Sequence, residues 1–289
     1  MLHTRMRWLI AAVALLATLA TTLLAGPALH STLAASNRPQ EYLALGNSVA
    51  FGYSPLLDHS NADNFIGYPT PVAAALKETL TNAGCPGETS SHFIAIDGSD
   101  NGCGGYRAAF PLHVTYSSAT QTQLEFADAF LQSHPMTLVV SIDIGANDLF
   151  VLQKACGGST SCILAGLHGM LATLSANLDI IYGHIRNTDS YHHQLVALTY
   201  YSLNYSDPLG TNVISQVNQV VAARTLAWGG IVADGFGAFK AASTTFGGDT
   251  CAAGLRIVLT SSPLTCDIHP SPAGRDLLAQ AIVNALRTD

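Results

Sequence analysis

Beyond its first forty or so residues the chain alternates short apolar runs with longer stretches whose apolar residues recur at helical spacing. Glu41–Gly46 (EYLALG) is a brief apolar run closed by glycine, and Thr137–Ile144 (TLVVSIDI) is a β-branched run closed by Gly145. Unbroken runs of this length suit strands buried on both faces. Gln194–Tyr201 (QLVALTYY) and Ile231–Asp234 read as further strands. Between and after them, Tyr68–Leu80, Gln121–Gln132, Ile163–Arg186, Val213–Trp228 and Pro272–Leu286 carry the helical period, the first entered through Pro69 and Pro71. Gly84–Gly87 (GCPG) is a turn and Asp97–Gly105 (DGSDNGCGG) a loop. Strands alternating with helices predict an α/β fold whose parallel sheet is covered on both faces and binds ligands beyond the carboxyl ends of its strands. Gly46-Asn47-Ser48 and Gly145-Ala146-Asn147-Asp148 each follow a strand directly, which places both on that rim.

The N-terminal stretch has a different character. Met1–Arg7 carries His3, Arg5 and Arg7, the apolar run Trp8–Leu24 follows, and small residues fill Gly26–Ser36. A basic head, an apolar core and small residues beyond it predict an export signal over residues 1–36, cleaved after Ala28 or after Ala34-Ala35-Ser36. An uncleaved membrane anchor is the alternative. No second apolar stretch of that length is expected, so residues 37–289 are read as one exported domain, monomeric and without stable membrane insertion. Roughly 250 residues suit a single large α/β domain. With 12 Lys and Arg against 19 Asp and Glu, the net charge of −7 argues against a nucleic-acid partner. The six cysteines all lie in the exported part, which suggests disulfides, and their grouping favours Cys85 with Cys103, Cys156 with Cys162 and Cys251 with Cys266. No CxxC pair points to a metal.

Ser48 follows a strand and two turn residues, a position where a hydroxyl is exposed and backbone N–H groups face developing negative charge. Taken alone it is an ordinary N-cap serine. Its company changes the reading. Leu45-Gly46-Asn47-Ser48 resembles the first sequence block of the GDSL, or SGNH, hydrolases, and Gly84-Cys85-Pro86-Gly87-Glu88-Thr89 resembles the second. Ile144-Gly145-Ala146-Asn147-Asp148 is similar to the third, and Asp267-Ile268-His269-Pro270 to the last. The four blocks stand in the family's order across nearly the whole exported chain. The resemblance implies a three-layer, flavodoxin-like α/β/α fold with a central, mostly parallel sheet, and hydrolysis of esters without a metal or other cofactor. It implies Ser48 as nucleophile, His269 as general base, Asp267 as its partner, and the Ser48 N–H, Gly87 N–H and Asn147 amide as oxyanion donors. A serine hydroxyl does need a base within hydrogen-bond reach, and a tetrahedral intermediate needs fixed donors.

Two positions depart from the family pattern. Asn47 stands where aspartate is usual, so loss of that charge is expected to loosen the turn or change how Ser48 is held. Ile268 alone separates Asp267 from His269, where the family has two residues, so either Asp267 or a main-chain carbonyl orients the imidazole. Gly87 is expected to be glycine because a side chain would crowd the acyl carbonyl and because glycine accepts unusual backbone angles. Other candidates are weaker. The Asp97–Gly102 segment loosely resembles a calcium loop but has Ala108 where a bidentate glutamate is needed. His184, His192 and His193 fit no metal spacing. Asp143, inside a buried strand, reads as a structural acid, while Tyr200, Tyr201 and Tyr205 are candidates for an acyl pocket. The expected substrate is a small-molecule or lipid ester, chosen by the loops Asp58–Ile66 and Asp97–Pro111. A carbohydrate O-acetyl esterase or a phospholipase would use the same site, and an inactive secreted binding protein would keep only the fold.

Overall fold

The computed structural model describes residues 40–288; the predicted export signal, with both cleavage points, lies outside the described residues. Five strands, β1 (Glu41–Gly46), β2 (Thr79–Asn82), β3 (Thr137–Asp143), β4 (Gln194–Leu198) and β5 (Ile231–Ala233), form one sheet in the order β2-β1-β3-β4-β5. All four neighbouring pairs are parallel. This is the flavodoxin-like order, in which the winding reverses between β1 and β3 and a crevice opens beyond their carboxyl ends.

The helices are α1 (Ser48–Phe51), α2 (Pro69–Leu76), α3 (Ser90–Ile94), α4 (Cys103–Ala109), α5 (Gln123–Ser133), α6 (Ala146–Ala155), α7 (Thr160–Gly183), α8 (Pro208–Ala227), α9 (Gly235–Ser243) and α10 (Pro272–Thr288). Strand residues alternate between two cores. Leu43, Leu45, Val140, Ile142 and Leu195 pack with Phe130, Leu178 and Val221 of α5, α7 and α8. Tyr42, Ala44, Val139, Val196 and Leu198 pack with Val72, Phe239, Leu278 and Ile282 of α2, α9 and α10. Each large apolar side chain so buried contributes about 1.5–3 kcal/mol, enough in sum to fix the strand register. The three layers match the expected fold class.

An antiparallel hairpin stands apart from this sheet: β6 (Arg256–Ser261) and β7 (Leu264–Pro270). Three disulfides join Cys85 to Cys103, Cys156 to Cys162 and Cys251 to Cys266, the expected pairs. The last ties the hairpin to the segment before it.

Several boundaries differ from the sequence reading. The helix expected over Tyr68–Leu80 stops at Leu76 because Lys77 turns left-handed (φ 61°), and the β-branched Thr79–Asn82 becomes the edge strand β2 beside β1. A lysine in that conformation gives none of the warning a glycine would. The loop expected over Asp97–Gly105 ends at Gly102, where α4 begins. The starts of α7 and α8 lie before Ile163 and Val213, and β4 ends at Leu198, short of Tyr201. Helices α6 and α9 and the hairpin were not foreseen. Residues Thr160–Thr188 are long and apolar enough to cross a membrane by length and composition, against the expectation of no second such stretch. Within them Leu174, Leu178, Ile181 and Tyr182 are fully buried in the sheet's core.

Candidate active site

The site begins where β1 ends. Gly46 has φ +131°, and a Cβ there would lie 2.4 Å from both the carbonyl and a carboxylate oxygen of Asp143, so only glycine permits the turn. Asn47, 1 % exposed, follows and uses both ends of its amide. Its Oδ1 accepts from the Val49 N–H at 3.0 Å, capping α1, and its Nδ2 donates to the Tyr200 hydroxyl at 2.5 Å. The turn is therefore held without the aspartate charge, contrary to the loosening expected. Behind it lies the fully buried Asp143, whose Oδ1 accepts from the Tyr68 hydroxyl at 3.1 Å. Burial pushes this carboxyl well above the usual carboxylate range, outweighing the hydroxyl of Tyr68 and the N–H groups of Asn47 and Ala50. Asp143 acts as a structural acid beneath the turn.

Ser48 is the first residue of α1, and its Oγ lies 2.9 Å from Nε2 of His269. His269 sits in β7, not in a loop before α10. Side chains two apart along a strand share a face, so the single intervening Ile268 is the spacing that lets Asp267 reach His269. The Asp267 Oδ1 meets both the Nδ1 of His269 and its backbone N–H, the latter at 3.0 Å. The carboxylate, and not a main-chain carbonyl, orients the ring. Partial burial opposes the charge on Asp267, but the hydrogen bonds from His269 and the nearby Arg256 outweigh it and hold the carboxyl below its ordinary pKa. Arg256 also donates to the Asp267 carbonyl at 3.3 Å, and the Tyr201 hydroxyl donates to the Ile268 carbonyl at 2.6 Å.

Asn147 opens α6 beyond β3. Its Oδ1 accepts from Asn101 at 2.8 Å and its Nδ2 donates to the Glu88 carbonyl at 2.9 Å, which fixes the amide orientation and leaves the second N–H free. Among the described residues, the N–H groups of Ser48 and Gly87 donate to no protein acceptor. Gly87 has φ +90°, and a Cβ there would strike the backbone of Asn101 and Cys103 at 2.8 Å. The positive φ, as expected, and that neighbouring loop both demand the glycine. Glu88, Gln123 and Asn101 were missed by the sequence reading. Gln123 bonds both the N–H and the carbonyl of Gly46 and donates to the buried Glu88, so the turn before Ser48 and the loop of Gly87 share one clamp.

A cavity of about 300 Å³ opens beside these groups. Ser48, His269 and Asn147 line it together with Leu149, Phe150, Tyr200, Tyr201 and Ile214. Gly87, whose near neighbours are Asn101 and Cys103, is outside this lining. Tyr205 is also outside it, donating its hydroxyl to the Phe236 carbonyl at 2.6 Å. Asp100, in the calcium-like segment, accepts from the N–H groups of Gly102, Cys103 and Gly104, which occupies both its oxygens as a cap for α4. His184 faces Asp128 at 3.2 Å, while His192 and His193 are exposed. The group Cys85, Glu88 and Cys103 has ligand-like spacing, but its two sulfurs are bonded to each other.

A family model described as GDSL-like Lipase/Acylhydrolase matches residues 44–277. The chain belongs to this family. Among solved structures, an extracellular lipase from Streptomyces rimosus is similar at 20 % identity and a TM-score of 0.55, over 85 % of this chain and 99 % of that one. An α/β hydrolase enzyme from the metagenome of Lake Arreo shares 18 % identity with a TM-score of 0.51, over 86 % and 95 %. An acetylxylan esterase from Geobacillus stearothermophilus shares 18 % identity with a TM-score of 0.50, over 86 % and 94 %. Likeness at this level speaks for a shared fold. No curated protein sequence matches. In this chain the contact between Ser48 and His269 lies at the carboxyl end of β1, beside the point where the winding of the sheet reverses.

Proposed function

We propose that the protein is a secreted serine hydrolase that cleaves carboxylic esters through an acyl-serine intermediate. The observation that carries this is the line from Ser48 Oγ through His269 to Asp267, opening on a cavity that Asn147 also lines. Ser48 Oγ bonds to the acyl carbon as its proton passes to His269 Nε2. The carbonyl oxygen becomes an oxyanion held by the N–H groups of Ser48, Gly87 and Asn147. Collapse breaks the bond to the alcohol, which leaves with the proton from His269. Water then attacks the acyl-serine, His269 taking its proton and returning it to Ser48 as the acid departs. Asp267, held ionised, keeps the imidazole in the tautomer that can accept at Nε2. The apolar part of the lining, Leu149, Phe150 and Ile214, suits the acyl chain of a small-molecule or lipid ester, and three disulfides favour an exported, oxidised protein.

Ser48→Ala and His269→Ala should each lower kcat on short-chain aryl esters by at least about a thousandfold with the fold intact. Hydrolysis at the wild-type rate in either variant would overturn the reading. A fluorophosphonate should label Ser48 covalently; failure to label the folded protein would favour the inactive binding protein instead.

A further inference from the structure

Outside the cavity lining, the surroundings of His269 have a different chemistry. Tyr53, just past α1, sets its ring 4.8 Å from the His269 imidazole. From there rings continue outward: His59 lies 5.1 Å and Tyr106 6.1 Å from Tyr53, and Phe110 lies 5.2 Å from both His59 and Tyr106. Buried Phe51 and Phe65 back this row. The two loops expected to choose the substrate thus meet in one aromatic shelf beside the general base. The backing rings would suffice to close the core. Yet Phe110 is 39 % exposed, and Tyr53, His59 and Tyr106 are half-buried. His59 is also held to the Ser54 carbonyl at 3.2 Å, so the shelf is formed before any ligand arrives.

We infer that Tyr53, His59, Tyr106 and Phe110 form the leaving-group subsite and accept the flat face of a ring-shaped alcohol, an aryl ring or a sugar. This rests on the ester-hydrolase reading above. The departing alcohol takes its proton from His269 Nε2, so it must lie beside the imidazole, where Tyr53 begins the shelf. The acyl chain takes the cavity, whose Leu149 and Ile214 suit an alkyl group. An aryl ring packs on these rings by offset stacking or edge contact, and a sugar would lay the apolar C–H face of its ring on them. These are broad contacts that a flexible alkyl alcohol matches less well.

The test holds the acyl group constant and varies the alcohol: phenyl acetate, 2-naphthyl acetate, an acetylated methyl xyloside and n-butyl acetate. In Phe110→Ala and Tyr53→Ala, KM for ring alcohols should rise about three- to tenfold, with n-butyl acetate changing less than about twofold. Tyr53→Phe should restore wild-type selectivity. A larger change for aryl esters, or for the sugar ester, identifies which ring the shelf takes. Equal changes across all four esters, or none, overturn the subsite and leave the hydrolase standing. Failure of the wild type on every acetate overturns the hydrolase reading and the subsite with it. Phe110 is exposed, so its variant keeps the test decisive if Tyr53→Ala does not fold.

Discussion

At Asn47 a neutral amide does two jobs, accepting from Val49 while donating to Tyr200. A carboxylate could do only the first without a proton from the tyrosine. The motif resemblance picked out this position and the close Asp267–His269 spacing as departures, and both have local physical explanations in the structure. What no motif marks is the supporting clamp: Gln123 reaches Gly46 across 77 residues, and Asn101 reaches Asn147 across 46. A single glutamine at the start of a helix carries no sequence signal of that reach. Glu78 is another residue whose state depends on packing. Burial raises its carboxyl from 4.5 to about 7, and one oxygen has no partner. Between those values the folded chain keeps a proton that the unfolded chain releases, so stability falls as pH rises through that window. Glu78→Gln should remove that fall. Its Tm relative to wild type should climb between pH 4.5 and pH 8, modestly because Glu78 is half-exposed; a constant difference would refute the assignment.

The hairpin β6–β7 is the element that carries both Asp267 and His269. It was illegible in the sequence because its strands, RIVLTS and LTCDIHP, are largely exposed and show neither steady alternation nor a glycine turn. The parallel strands were legible for the opposite reason: burial on both faces forces long apolar runs. Cys251–Cys266 closes a loop of sequence separation 15 at the foot of this hairpin. Such a loop constrains the unfolded chain by about 3 kcal/mol, and here it also fixes the strand that carries His269. The double variant Cys251→Ser/Cys266→Ser should therefore lose Tm and, at a temperature where it is still folded, lose kcat more than KM. A folded variant with wild-type kcat would show that the bridge serves stability alone.

Across the whole molecule, the alternation of elements announced the α/β class, while the strand order could not be read without the missed β2. Only the completed order shows that Ser48 and Asn147 flank the reversal of winding between β1 and β3. The cavity beside them, about 300 Å³, lies at the small end of ligand pockets and is closed partly by Ile214 of α8. Ile214→Trp should shorten the acyl chains accepted, lowering the hexanoate-to-acetate ratio of kcat/KM by at least about tenfold. An unchanged ratio would place the chain elsewhere.

The hydroxyl of Ser48 and the imidazole it meets are separated by 221 residues. During synthesis Ser48 emerges early and His269 almost last. Under the proposed mechanism, a chain released before residue 269 would carry Ser48 without the imidazole proposed to activate it, and would not hydrolyse esters.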